Sequence, residues 1–173
     1  MEINAERVIE LVKSVRPLFM DHERASRITV KGAADFVTQV AFLVPDRMRR
    51  GFFHMYPQVQ FMGEETDNRA NALSGAVWIL DPVDGTTNLI HDFRCSALSL
   101  ALCDRGQMEL GLIYQPYEDE LFLAQRGKGA FLNGNPIHVS SVKDLGQSLI
   151  SIGTSPYNHD LADRNFEDIK RVF

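Results

Sequence analysis

Long apolar runs are missing from this 173-residue sequence. None reaches the ~18 consecutive residues that a membrane-spanning helix needs, so no helical span is expected. Cysteine is scarce too. Cys95 and Cys103 are the two in the chain, and their spacing matches no metal or redox motif. A disulfide scaffold is therefore excluded, Cys103 reads as a buried thiol, and a reducing, cytoplasmic setting is the expectation. The five histidines are scattered, with no pair at metal-ligand spacing. Positive charge is in deficit, with 18 Lys and Arg against 23 Asp and Glu, a net charge of −5. That balance, without any basic-aromatic patch, argues against nucleic acid or an anionic membrane as partner. No repeat or low-complexity tract occurs. Residues 1–13 carry acids within an apolar pattern and show no small-residue cleavage site, so a secretory leader is not expected.

What is present is an ordinary globular balance, 45% hydrophobic and 24% charged. The length fits one domain of the usual ~100–200 residues. Ile3, Val8, Leu11, Val12, Val15 and Phe19 fall on one helical face, with Pro17 as a kink. Residues 27–30 and 36–38 read as short extended pieces around a loop at 31–35. A second helix is expected over 39–55, with Pro45 near its start or bending it. Strands follow at 59–62 and 76–80. Between them, 67–74 is polar and reads as loop or short helix. Further strands are expected at 95–103, 110–114, 120–126, 129–132 and 148–152, separated by Gly, Asn and Pro turn signals. A last helix is expected over 160–173. Two helices, a meander of strands and a closing helix imply an α+β layering with a mainly antiparallel sheet.

One stretch stands out: Trp78-Ile79-Leu80-Asp81-Pro82-Val83-Asp84-Gly85-Thr86-Thr87-Asn88. A buried strand ends at Asp81, and a tight turn places a second carboxylate three residues on. Gly85 permits an unusual backbone angle or a close ligand approach. Thr86, Thr87 and Asn88 offer hydroxyls and a helix start. Carboxylates with the carbonyl between them can hold a hard cation, and backbone N–H groups can face an anion. That combination suits metal-assisted phosphoryl transfer. Alone, Asp-Pro-x-Asp-Gly is as readily a plain turn.

The full stretch resembles the first signature of the inositol monophosphatase family, magnesium-dependent and lithium-sensitive phosphatases of small phosphorylated metabolites. Gly63-Glu64-Glu65 resembles a second family motif, and Asp35-Phe36-Val37-Thr38, with Lys31 upstream, a third. Gly111-Leu112-Ile113-Tyr114 and the hairpin from Gly127 to Gly134 are similar to the family's downstream region. The resemblance implies the N-terminal half of a layered α/β sandwich, with residues 1–173 forming its metal- and phosphate-binding domain. It implies Mg2+ on Glu64, Asp81, the Val83 carbonyl and Asp84. Asp84, Gly85, Thr86 and Thr87 would bind the phosphorylated substrate. Asp35, Glu65 and Thr86 would activate the attacking water, with no phospho-enzyme on Asp81. It also implies a homodimer. Taken singly, Asp35, Thr86 and Thr87 could merely cap helices, and Glu65 and Lys31 could be solvated loop residues.

The match has departures. Ala41 stands where the family usually has Asp, Leu89 where it has Phe, and Arg94 where Pro is frequent. Thr87-Asn88 leans toward the inositol branch rather than the nucleotide branch, which favours Lys-Glu. The family's second α/β domain, with its Trp-Asp motif, has no counterpart, since Trp78 is the one tryptophan. A fragment, a natural short form or a chain completed by a partner would each account for this, the fragment being the working expectation. Each implies an uncovered apolar face. A non-catalytic metal- or phosphate-binding or oligomerisation module is the alternative function.

Overall fold

The computed structural model describes residues 3–25, 28–32, 35–64, 74–153 and 160–172, with the backbone alone for 28–32 and 35–37. Helix α1 (Ala5–Lys13) starts where the Asn4 side chain accepts the Arg7 N–H at 3.1 Å. It buries Val8 and Val12, one turn apart. Pro17 does not kink this helix. It sits in the first turn of a separate short helix, α2 (Arg16–Phe19), where its missing N–H has no partner to lose. Helix α3 (His22–Ala25) and strands β1 (Ile28–Gly32) and β2 (Asp35–Thr38) follow, the two strands pairing as a small sheet of their own. The expected loop at 31–35 is thus strand at Lys31, Gly32 and Asp35. Thr38 ends β2 and caps α4 (Gln39–Met55), its hydroxyl accepting the Ala41 N–H. Pro45 lies inside α4 and is buried.

A seven-stranded sheet carries the rest. Its order is sequential: β3 (Gln60–Gly63), β4 (Ala76–Asp84), β5 (Ala97–Asp104), β6 (Gln107–Gln115), β7 (Glu120–Gln125), β8 (Gly129–Leu132) and β9 (Asn135–Ile137). Every pair is antiparallel except β3–β4, which is parallel. The short helix α5 (Thr86–Ile90) joins β4 to β5. Alternation along β5 and β6 sets the faces. Leu98, Leu100, Leu102, Leu110, Leu112 and Tyr114 are buried, while Gly111 and Ile113 between them are exposed. The buried face meets α1 and α4 in one core, where Phe52 stacks on Trp78 at 4.3 Å. The outer face is apolar and open. Ala101, Gly111, Ile113, Phe122 and Ala130 line a shallow groove of about 320 Å³ there.

Three sequence expectations need correction. Residues 148–152 are not a strand. They are exposed and belong to no sheet, following a 3-10 turn at Leu145–Gln147. Asn135-Pro136, read as the end of a turn from Asn133, instead begin β9 (Asn135–Ile137), which closes the sheet. The strand expected over 76–80 runs on through Asp84. The expected polar loop at 67–74 lies outside the described residues up to 73. The last helix, α6 (Ala162–Val172), forms as expected and buries no residue. Contacts divide the described chain into two units, one within 1–31 and 36–138, the other within 32–35 and 139–173. Among the described residues no helix is long and apolar enough to cross a membrane.

Candidate active site

Parallel pairing brings the C-terminal ends of β3 and β4 to the same edge. Gly63 is opposite Leu80, and the Glu64 N–H extends the ladder by donating to the Leu80 carbonyl at 3.3 Å. Glu64 and Asp81 therefore leave neighbouring strands at one level. On the other side of β4 the register slips. Asp81 faces Ser99 but Asp84 faces Ala97, so β4 carries one extra residue there. Pro82, which has no N–H to give to a ladder, sits in this bulge. A bulge bends the strand and re-aims its side chains. Asp81 and Asp84 are thus joined by bulged strand, not by the tight turn expected from the sequence; the turn follows at Gly85.

The Val83 N–H, freed from the ladder, donates to Asp81 Oδ1 at 3.1 Å. The Val83 carbonyl accepts the Thr86 hydroxyl at 3.0 Å. Gly85 has φ +81°, a left-handed conformation, and a Cβ there would lie 2.8 Å from the Cys95 carbonyl oxygen. Glycine is required on both counts. Asp81 is half-buried and Asp84 exposed. Burial pushes the Asp81 carboxyl above the usual carboxylate range. The Val83 N–H pulls it back, and the Asp84 charge adds to the push. A carboxylate whose ionisation is made costlier by burial and by a neighbouring charge sits in a site that favours a cation.

The structure thus brings together Asp81, Val83, Asp84, Gly85 and Thr86, with Thr87 exposed on the first turn of α5. Glu64 is exposed at the same edge, but its carboxylate does not close a group with the two aspartates. Among the described residues no three Asp, Glu, His or Cys side chains converge on one metal position. Asp35 opens β2, where the backbone alone is described, and Glu65 lies outside the described residues. Cys103 is buried as expected; Trp78 is buried too, and His91 and Cys95 are exposed. Sequence reasoning missed the segment that grips the turn. Ser96 Oγ donates to the Gly85 carbonyl at 2.8 Å, and Asn88 Nδ2 to the Cys95 carbonyl at 2.7 Å. No sequence signal marks Ser96, because its partner is 11 residues away across the β4–β5 connection.

The family model described as the inositol monophosphatase family matches residues 1–172. An inositol monophosphatase of Dictyostelium discoideum is 36% identical over 166 residues, covering 94% of this chain and 60% of the relative. Among solved structures, the extragenic suppressor protein suhB of Bartonella henselae superposes with a TM-score of 0.74 at 30% identity, over 82% of this chain and 56% of that one. A dual specific IMPase/NADP phosphatase, bound with D-inositol-1-phosphate, gives 0.68 at 25% identity, over 77% and 51%. The chain spans between about half and three-fifths of the length of these relatives. Motifs, sheet order and family match agree: the chain belongs to the inositol monophosphatase family.

Proposed function

We propose that this chain carries the metal- and phosphate-binding part of a magnesium-dependent phosphomonoesterase acting on inositol monophosphate or a similar small phosphorylated metabolite. The observation that carries the reading is the end of β4. There, two mutually repelling carboxylates are separated by one bulge and followed at once by a left-handed glycine turn and a threonine. The donor set, two carboxylates and a backbone carbonyl, is all oxygen and fits a hard divalent cation. Asp81, Asp84 and the Val83 carbonyl would hold Mg2+, and the family resemblance adds Glu64, at the neighbouring strand end. When bound, Mg2+ offsets the charge repulsion between phosphate and these carboxylates and lowers the pKa of water.

The protein's own groups define the remaining roles. Thr86 donates its hydroxyl proton to the Val83 carbonyl. Toward a substrate its oxygen is therefore an acceptor, the polarity needed to orient a water and draw on its proton. Asp35 and Glu65 are assigned the same task from the family resemblance. Gly85, Thr86 and Thr87 present the backbone on which the phosphate rests. A homodimer, a cytoplasmic location and lithium inhibition belong to this reading on the same resemblance.

Phosphate release from inositol 1-phosphate tests it, with and without magnesium, for this chain and its Asp84→Asn variant. Magnesium-dependent release that disappears in the variant supports the reading, and full activity in the variant would sink the site assignment. A folded chain that binds magnesium without releasing phosphate favours the second reading, a metal- or phosphate-binding module.

A further inference from the structure

We infer that Ser96 is a positioning residue whose buried hydroxyl sets the direction of the Gly85–Thr86 peptide, and through it the phosphate-facing turn. The inference deepens the phosphatase reading and rests on it for the identity of the ligand.

Ser96 lies between the exposed Cys95 and the first residue of β5, and it is 3% exposed. A buried hydroxyl is costly unless bonded. This one has a specific partner, the Gly85 carbonyl at 2.8 Å. That carbonyl also accepts the Leu89 N–H at 3.1 Å. Both of its lone pairs are thus engaged, one by α5 and one by the approach to β5. A peptide unit is planar and trans. Fixing the Gly85 C=O therefore fixes the Thr86 N–H, which belongs to the same plane and points the opposite way. Ser96 pulls the carbonyl toward the interior, so the N–H is turned outward on the substrate side of the turn. Gly85 needs this support more than another residue would. Its backbone is free on both sides of φ = 0, and nothing in its own side chain selects +81°.

A further contact presses the same segment onto the turn. Asn88 Nδ2 donates to the Cys95 carbonyl, the oxygen that lies against Gly85. The Ser96 hydroxyl proton is committed to the Gly85 carbonyl. A packing role alone would call for an apolar side chain here.

The test compares Ser96→Thr with Ser96→Val, which share a shape and differ in the hydroxyl. Two readouts are taken on the full chain: amide hydrogen exchange at Thr86–Leu89 without ligand, and calorimetric binding of inorganic phosphate at saturating magnesium. The Val variant should exchange about tenfold faster at Leu89 and bind phosphate about tenfold more weakly, the worth of one buried hydrogen bond. The Thr variant should stay near the parent in both, and amides in β5 and β6 should not change in either. Equal behaviour of Thr and Val would overturn the inference. If a shared fall in Tm shows that the added methyl disturbs packing, Ser96→Ala against the parent decides, and unchanged exchange at Leu89 would then overturn it. A parent chain that binds no phosphate would refute the phosphatase reading, while the exchange comparison still decides the role of Ser96.

Discussion

Asp81 is placed where its charge is costly, and this gives the site a pH and metal signature. Its folded pKa is raised, so its destabilising contribution is present above that value. The contribution fades as pH falls through it toward the ordinary carboxylate value of about 3.9. Asp81→Asn removes the charge yet keeps an oxygen for the Val83 N–H. At neutral pH the metal-free variant should melt about 1–3 °C higher than the parent, a fraction of a kcal/mol for a chain of this size. Magnesium should raise the parent's Tm and leave the variant's unmoved. Calorimetric melts with and without magnesium check both halves, and a variant that melts lower without metal would contradict the assignment. At Gly85 the prediction runs the other way. An alanine there pays the left-handed penalty of about 1–2 kcal/mol and drives its Cβ against the Cys95 carbonyl. Gly85→Ala should lower the urea midpoint and abolish magnesium-dependent phosphate binding, whereas Gly106→Ala, in an open turn with positive φ, should lower only the midpoint.

Among the elements, α1 is tied to the sheet by one side chain on the β6–β7 turn. Asp119 accepts the Tyr114 hydroxyl at 2.7 Å and the Lys13 ammonium at 3.0 Å. Arg16 adds a bond to the Pro116 carbonyl at 2.8 Å. The Tyr114 hydroxyl, then Lys13, holds the Asp119 carboxyl below the usual range. A depressed acid stabilises above its unfolded pKa and loses that contribution as pH falls through the folded value. Asp119→Ala leaves the Tyr114 hydroxyl without its acceptor. It should cost about 1–3 kcal/mol near neutrality, and the difference from the parent should narrow below about pH 4. Asp119→Asn keeps an acceptor, tolerates the positive φ of +55°, and should cost under about 1 kcal/mol. Urea titrations across pH read both. These contacts also show where sequence reading stops. The alternation of Leu98, Leu100 and Leu102 announces β5, and the spacing of Val8 and Val12 announces α1. Their mutual attachment depends on a turn 106 residues from Lys13. Strand formation is equally non-local. The apolar 148–152 reads as a strand but forms none, whereas Asn135-Pro136 looks like the end of a turn and pairs with β8.

At the scale of the whole molecule, the part of the candidate site that was legible lies in one stretch of the chain. Asp81, Asp84, Gly85 and Thr86 fall within six residues, and one bulge suffices to assemble them. Ser96 was not legible because only the return of the chain into β5 brings it to Gly85. The distribution of the core supports a final prediction. Every residue in the buried cluster lies between Val8 and Leu121, and the partly buried residues packed on it end at Leu123. By contrast Val139, Leu149, Ile150, Ile152, Leu161, Phe166 and Val172 are all exposed. Apolar side chains that remain in water contribute little to folding. A chain ending at His138 should therefore keep the Trp78–Phe52 stack, seen as an unchanged near-ultraviolet circular dichroism signal. Its urea stability should lie within about 1 kcal/mol of the full chain, the range of surface changes that touch no buried group. Loss of the tryptophan signal on truncation would mean that residues beyond 138 supply part of the core. Retention, together with the magnesium-induced rise in Tm, would place both the fold and the cation site within the first 138 residues.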